Sequence, residues 1–266
     1  MVFIEYLPGN SLFHKLDVRT KCVWLIAILI LSFIFTDPLY VLIVGIAVLA
    51  TAFLIGLESS RLKRIFKPLI PVLLCILIFT GFGISPDSFT TSWAKTRLFE
   101  LLGAPMTIGG ILMGVTYLLR LMIIVVSTSI VTLTTPLDDF IVLMRKLRLP
   151  YELAFAFSTA VRFIPTLMKE SEAVMDAQRA RGMRLEGGFI QQVKSRIPIM
   201  IPMIVGGIRK SENLAIAMLV RGFGATKNRT ILREIKMKGL DYQVMAAIIA
   251  ITLFGIFIRA MGYGVL

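Results

Sequence analysis

Five long apolar segments constrain this chain more than any other feature of its sequence. A helix that crosses a lipid bilayer needs roughly 17–25 mostly apolar residues. The segments span residues 22–36, 39–57, 68–86, 101–137 and 242–258, the first of them being short. With 57% hydrophobic residues, a chain of 266 residues is too apolar for a soluble domain. The sequence therefore predicts an all-α polytopic membrane protein with about five transmembrane helices.

The basic residues are distributed unevenly and predict how the chain is oriented. Of the 29 lysines and arginines, 25 lie in the stretches 15–21, 61–67 and 136–239. Five spans place all three stretches on the same side, and lysine and arginine mark the cytoplasmic side. We therefore expect a cytoplasmic N-terminus and an external C-terminus. The net charge of +13 does not indicate a nucleic-acid partner, because a nucleic-acid binder would not be so apolar.

The chain thus divides into N-terminal transmembrane helices (1–135), cytoplasmic helices (136–239) and a C-terminal transmembrane helix (240–266). In the middle region the apolar runs are short and interrupted by charges and prolines, which suits buried or interfacial helices. A short helix is predicted to begin at Thr135-Pro136, with Thr135 as its N-cap. Two long helices follow, one over about 151–181 and one over about 189–221. A glycine follows each of them and is expected to end it.

The two long helices share a sequence pattern with an offset of 40 residues. Residues 169–172, Lys-Glu-Ser-Glu, align with 209–212, Arg-Lys-Ser-Glu. Ala180-Arg181-Gly182 aligns in the same frame with Val220-Arg221-Gly222. An arginine beside a helix-ending glycine has an ordinary explanation, because it complements the helix dipole. Two such endings in matched frames instead favour a pair of binding elements for two similar acidic partner sites.

Arg120 is the one charge inside a predicted span and allows more than one interpretation. An intramembrane charge indicates a functional site by default. It can also face neighbouring helices and satisfy backbone carbonyl groups. A chain reversal at Arg120 would split 101–137 into two spans, but it would also place the basic middle region outside.

In these motifs the sequence resembles the transmembrane (T) component of energy-coupling factor transporters, a class of prokaryotic ABC importers for vitamins and trace-metal ions. The resemblance covers the whole chain. The family motif reads Ala-Arg-Gly, which residues 180–182 match in full, whereas Val220 replaces the alanine in the second copy. The resemblance implies a multi-pass protein of the plasma membrane whose two motif arginines dock into two homologous ATPase subunits. It also implies that the two long helices cross as an X and carry a membrane-embedded substrate-binding S component.

The sequence contains no pattern typical of an enzyme. It lacks a P-loop, and its single histidine excludes a histidine-based metal site. We therefore expect no catalytic residues, cofactor or metal in this chain, with ATP bound by the partner subunits. Methionines suit a surface that adapts to different partners, although they also fill gaps in apolar interfaces. The expected S-component contacts are Met168, Met175, Met200, Met203 and Met218.

Two other classes of function remain as alternatives. A self-sufficient secondary transporter or channel would need polar residues deep in several spans, where only Arg120 qualifies. An integral-membrane enzyme would need clustered carboxylates or histidines at a membrane face.

Overall fold

The computed structural model describes residues 9, 11–57, 63–64, 66–83, 97–101, 104–146, 150–183, 188–225 and 237–264. The chain forms two compact units. The bundle unit comprises Met1–Leu143 and Ile235–Leu266, and the hairpin unit comprises Met144–Glu234. The predicted division at residues 136 and 239 was based on which segments lie in the membrane and which lie in the cytoplasm. Contacts alone do not test that criterion, and the division stays a prediction.

The bundle unit is built from helices that match the five apolar segments. After the short helix α1 (Leu12–Lys15), the chain forms the helices α2 (Val18–Ile34), α3 (Pro38–Leu54), a 3-10 turn (Lys67–Leu69) leading into α4 (Ile70–Gly83), α5 (Ile108–Thr134), α6 (Leu137–Lys146) and, after the hairpin unit, α9 (Gly239–Ala260). The prediction of an all-α membrane protein is confirmed by these helices, with a short β-hairpin before α5 as the described exception.

Contacts between the helices show that successive apolar helices alternate in direction. α2 meets α9 at Asp17–Asp241 and again where Gly255 approaches Leu31, so these two helices run parallel. α5 runs antiparallel to α2, because Lys21 contacts Thr134 at one end and Ser32 contacts Arg120 further along. The bundle therefore brings the start of α2, the end of α5 and the start of α9 to one end.

The reversal between α2 and α3 forms at Thr36-Asp37-Pro38. The Asp37 carboxylate accepts a hydrogen bond from the Leu39 backbone N–H at 2.9 Å and thereby caps α3. Pro38 occupies the first turn, where its missing N–H has no cost. The Gly264 carbonyl accepts the backbone N–H groups of both Thr36 and Asp37, which ties the hinge to the end of α9.

A short β-hairpin precedes α5 and was not predicted from the sequence. Its strands, β1 (Arg97–Leu101) and β2 (Ala104–Thr107), are antiparallel. The expected span over 101–137 is therefore wrong at its start, because α5 begins only at Ile108. Pro105 lacks the N–H that a helix interior requires, and the Thr107 hydroxyl caps the helix by accepting from the Gly110 N–H at 3.0 Å.

Two of the described helices, α5 and α9, are long and apolar enough to cross a membrane by length and composition. Two shorter apolar helices, Pro38–Leu54 and Lys67–Gly83, accompany them. α2 has 17 residues, which is the lower limit for a span.

Arg120 lies in the middle of α5 and satisfies the carbonyl end of α2. Its Nε donates to the Ser32 carbonyl at 2.9 Å, and its Nη2 donates to the Phe35 carbonyl at 3.0 Å. The guanidinium group also lies over the rings of Phe33 and Tyr117. Carbonyl groups at a helix C-terminus have no partner within the helix, and a cation complements the negative end of the dipole. The structure therefore favours the structural interpretation of Arg120.

The hairpin unit contains the two long helices α7 (Tyr151–Ala180) and α8 (Phe189–Val220). Both predicted helices are confirmed to within one residue at each end. Pro165 lies inside α7, whereas Pro198 and Pro202 lie inside α8. The predicted cap of the preceding helix is wrong, because α6 begins at Leu137 and the buried Thr135 hydroxyl has no described hydrogen-bond partner.

Candidate functional site: two arginine-bearing helix ends

The end of α7 places Arg181 in the last position before a left-handed glycine. Gly182 has a φ of +88°, a conformation that disfavours residues with a Cβ atom. Its N–H donates to the Arg179 carbonyl at 2.9 Å, and the Met183 N–H donates to the Gln178 carbonyl at 3.1 Å. This pair of hydrogen bonds defines a Schellman motif, which ends the helix and fixes the backbone at Arg181.

The end of α8 repeats this geometry at the matched positions. Gly222 has a φ of +73°, and its N–H donates to the Leu219 carbonyl at 2.9 Å. The Phe223 N–H donates to the Met218 carbonyl at 2.9 Å. The sequence repeat thus corresponds to a structural repeat, and the glycines end both helices as predicted.

The motif residues at both helix ends lie on the surface. Ala180, Arg181, Gly182, Val220, Arg221 and Gly222 are all exposed, with Val220 reaching 82%. The neighbouring Arg179 forms an exposed ion pair with Asp176 at 3.4 Å. Neither Arg181 nor Arg221 has an ion-pair partner among the described residues. Two free guanidinium groups, each on a fixed backbone, can each bind a carboxylate in a bidentate manner.

The two helices lie side by side and run in opposite directions. They are linked by the Gln178 side chain donating to the Pro198 carbonyl, by an ion pair between Glu170 and Lys210, and by the rings of Phe155 and Phe223 at 5.0 Å. Contacts at three levels describe an antiparallel hairpin, and the crossing as an X that the resemblance implies stays a prediction. Arg181 and Arg221 consequently lie at opposite ends of the hairpin, roughly 35 Å apart at about 1.5 Å per residue.

The ion pair between the helices joins two positions that are equivalent in the repeat. Glu170 and Lys210 differ by the same 40-residue offset as the two arginines. When two antiparallel copies of one motif pack together, a residue meets its own counterpart only beside the twofold axis that relates the copies. The hairpin therefore has an approximate twofold axis near Glu170 and Lys210. The opposite charges at this point avoid the repulsion that identical residues would create.

The expected methionine surface is only partly exposed. Met200 is 57% exposed, whereas Met168, Met175, Met203 and Met218 are half-buried. The more continuous apolar surface is a stripe along α8, at the i, i+4 spacing of one helix face. We refer to this set as the α8 stripe: Ile197, Met200, Ile201, Ile204 and Ile208. Sequence analysis missed these isoleucines, although their i, i+4 spacing indicates a continuous apolar face on the helix.

Sequence analysis also missed the residues that support the α8 end. Phe223 packs against Tyr151 at 5.9 Å and Phe155 at 5.0 Å between ring centroids. The position after the helix-ending glycine differs between the two repeats, being Met183 in the first and Phe223 in the second. This difference in the sequence could have indicated additional packing at the α8 end. These three residues form what we call the aromatic cluster.

Comparisons with known proteins place the chain in a transport class and then in a family. Residues 9–232 match the family model of CbiQ, the cobalt transport protein. Three similar relatives carry the name "Energy-coupling factor transporter transmembrane protein EcfT". The Thermosediminibacter oceani protein is 30% identical over 95% of this chain and 94% of its own length. Those of *Lactococcus lactis* and *Staphylococcus aureus* are 31% and 34% identical, with coverage of 95% of this chain and 96% and 95% of theirs.

The chain is therefore a component of a membrane transport system. It belongs to the CbiQ family, as a T component of an energy-coupling factor transporter.

Proposed function

We propose that Arg181 and Arg221 each dock one of two homologous ATPase subunits. The observation that carries this proposal is the pair of matching, exposed Schellman ends at opposite ends of one hairpin. Homologous subunits assemble most often around a twofold axis. A hairpin with its own approximate twofold axis presents equivalent groups to both subunits of such a pair. The ATPases supply the nucleotide site, so that this chain needs no catalytic residue or cofactor.

The double variant Arg181→Ala with Arg221→Ala tests this proposal. Leaving a buried acidic group unpaired typically costs about 3–5 kcal/mol, so we expect the membrane protein to lose both ATPases on purification. Arg179→Ala is the matched control, because it removes an exposed arginine from the same helix end that has no equivalent in the repeat. A double variant that retains both ATPases at normal affinity contradicts the proposal and reduces both arginines to helix caps.

The α8 stripe is the surface that we propose for the S component, which binds the vitamin or trace nutrient. An exposed apolar stripe on a helix indicates a binding surface for another apolar surface. Met200→Asp with Ile204→Asp should release the S component while the ATPases stay bound, because each buried carboxylate would lack a partner. Aspartate at exposed Asn213 and Ala217, which the helical spacing places on the opposite face of the same helix, provides the control. Retention of the S component by the stripe variant contradicts this placement.

The five apolar helices cross the plasma membrane with the N-terminus in the cytoplasm in this proposal. The alternating helix directions support it, since the ends of α5 and α9 that flank the basic hairpin unit lie beside the start of α2. Single cysteines replacing Tyr263 and Asp176, in a background without Cys22 and Cys75, should label from opposite sides of intact cells. Labelling of both cysteines from outside would disprove the topology.

A self-sufficient secondary transporter or channel is the alternative function. Its main support in the sequence was Arg120, whose guanidinium group donates to two backbone carbonyls. A charge engaged in this way is a structural tie and is poorly suited to binding a substrate. The contacts of Arg120 therefore favour a T component that depends on its partners.

A further inference from the structure

A charged side chain is buried at the start of α2, within the bundle unit. Lys21 is only 2% exposed, and its Nζ donates to the carbonyl of Thr134, the last residue of α5, at 2.9 Å. The carboxylates of Asp139, Asp17 and Asp241 act on it electrostatically. Burying a charge costs more than burying an apolar side chain of similar size unless its partners compensate. The buried Lys21 therefore lowers the stability of the fold, and its presence calls for a reason other than stability.

Asp17, one helical turn before Lys21, connects the same helix start to α9. The Asp17 backbone N–H donates to Asp241 Oδ1 at 2.9 Å. Asp241 Oδ2 accepts the Lys238 N–H at 2.8 Å and so caps α9. The start of α2 thus holds the end of α5 through Lys21 and the start of α9 through Asp17.

The chain between these two ties carries the hairpin unit. The hairpin unit, Met144–Glu234, is inserted between the two ties, after α6 on one side and before Lys238 on the other. A displacement of the hairpin unit therefore reaches the two ties along the chain, through α6 and through the segment that leads into α9. Because Thr134 and Asp241 are both tied to the first turn of α2, they cannot move independently while the ties hold.

Several polar atoms in the same chain segments are buried without a hydrogen bond. Asp17 Oδ2, Thr20 Oγ1 and Thr135 Oγ1 have no partner among the described residues. Unsatisfied buried polar groups are rare in folded proteins, and each calls for an explanation. A region selected for stability alone would have apolar side chains here.

We propose that Asp17, Lys21, Thr134 and Asp241 form a clamp that converts movement of the hairpin unit into joint movement of α2, α5 and α9. Lys21 is the positioning residue of this α2 clamp. The inference rests on the proposed function, because the movement is supplied by the docked ATPases. Without the clamp, the end of α5 and the start of α9 move separately and the movement is lost in the connecting chain.

Amide hydrogen exchange of the purified complex with its ATPases, with and without AMP-PNP, tests the clamp. In the wild type, the nucleotide should change exchange both in the hairpin unit and in α2 and α9. In Lys21→Met the change in the hairpin unit should persist, whereas the change in α2 and α9 should fall by about fivefold or more. Lys21→Arg, which keeps the donor and the charge, should restore most of it.

Two further variants make the result specific. Lys15→Met removes an exposed charge from the same N-terminal stretch and should leave the response unchanged. Asp241→Asn keeps the size of the side chain and one acceptor oxygen. It should weaken the response in the same direction, and it tests the second tie if Lys21→Met does not fold.

The outcomes separate the clamp from the proposed function. An undiminished nucleotide response of α2 and α9 in both Lys21→Met and Asp241→Asn overturns the clamp. Faster exchange throughout α5 in these variants also overturns it, because Lys21 would then serve general stability. A wild-type chain that does not bind the ATPases refutes the proposed function. The clamp is then judged without nucleotide, by whether Lys21→Met accelerates exchange at 135–140 and 237–242 only.

Discussion

The two arginine-bearing helix ends have the same backbone geometry but different support. At the α8 end, the residue after the glycine is Phe223, which packs into the aromatic cluster with Tyr151 and Phe155. At the α7 end, the contact to the other helix among the described side chains is the exposed hydrogen bond from Gln178 to the Pro198 carbonyl at 3.4 Å. The local motif therefore determines where each arginine lies, whereas distant residues determine how firmly it is held.

This difference has a consequence for binding. A group that is already fixed in its bound position loses less conformational entropy when its partner arrives. Among the described residues the aromatic support lies at the α8 end, so we expect Arg221 to be the better preorganised arginine and the ATPase proposed at this end to be bound more tightly. The ATPase at the α7 end should depend more on contacts that form during binding.

The largest expected effect comes from removing the arginines one at a time. Arg221→Ala should weaken binding of the ATPases by about a hundredfold or more, the effect of losing a buried ionic partner. Arg181→Ala should cause a loss severalfold smaller, because its end is less fixed beforehand. Isothermal titration of the detergent-solubilised protein with purified ATPases measures both. Equal losses would show that the aromatic cluster has no influence on docking.

Lysine at these positions sharpens the same measurement. Arg221→Lys keeps the charge but loses the planar fork, so it should recover only part of the affinity. Full recovery would show that the acidic site on the ATPase recognises the positive charge and not the planar guanidinium group.

A smaller effect is expected from removing the support itself. Phe223→Ala deletes two aromatic contacts, which are worth about 1 kcal/mol each beyond the buried area. Exchange of the amides at 218–223 should therefore accelerate by roughly a factor of five to thirty for 1–2 kcal/mol. Met183→Ala is the matched variant at the α7 end and should change exchange at 178–183 much less. Similar acceleration at both ends would remove the asymmetry.

The smallest effect is expected at the contact between the two long helices, α7 and α8. Glu170→Lys places two lysines at the twofold axis and should destabilise the hairpin by roughly 0.2–1 kcal/mol, as for a partly exposed pair. Adding Lys210→Glu restores opposite charges in exchanged positions and should recover the loss, as measured by a double-variant cycle of thermal unfolding. Failure of the exchanged pair to recover would argue against the twofold relation.

Much of the local structure followed from the sequence. The apolar segments predicted the helices of the bundle, and the glycines at 182 and 222 predicted where α7 and α8 end. These predictions succeed because segment length, proline position and glycine conformation act within a few residues of the chain. The β-hairpin before α5 and the failed cap at Thr135 show the limit of prediction from local sequence. A polar side chain can cap a helix only if the surrounding packing allows it.

By itself, the sequence determined the membrane character, the long helices and the two matched arginine motifs, because apolar length and a 40-residue repeat are properties of the chain alone. Only the tertiary structure decided that Glu170 faces Lys210, that Phe223 supports one helix end, and that Lys21 and Asp17 bring Thr134 and Asp241 together. The physical reason is that a side chain's partner is chosen by helix packing. The residues that meet at the start of α2 are separated by 113 and 224 positions, and no local pattern records such a distance.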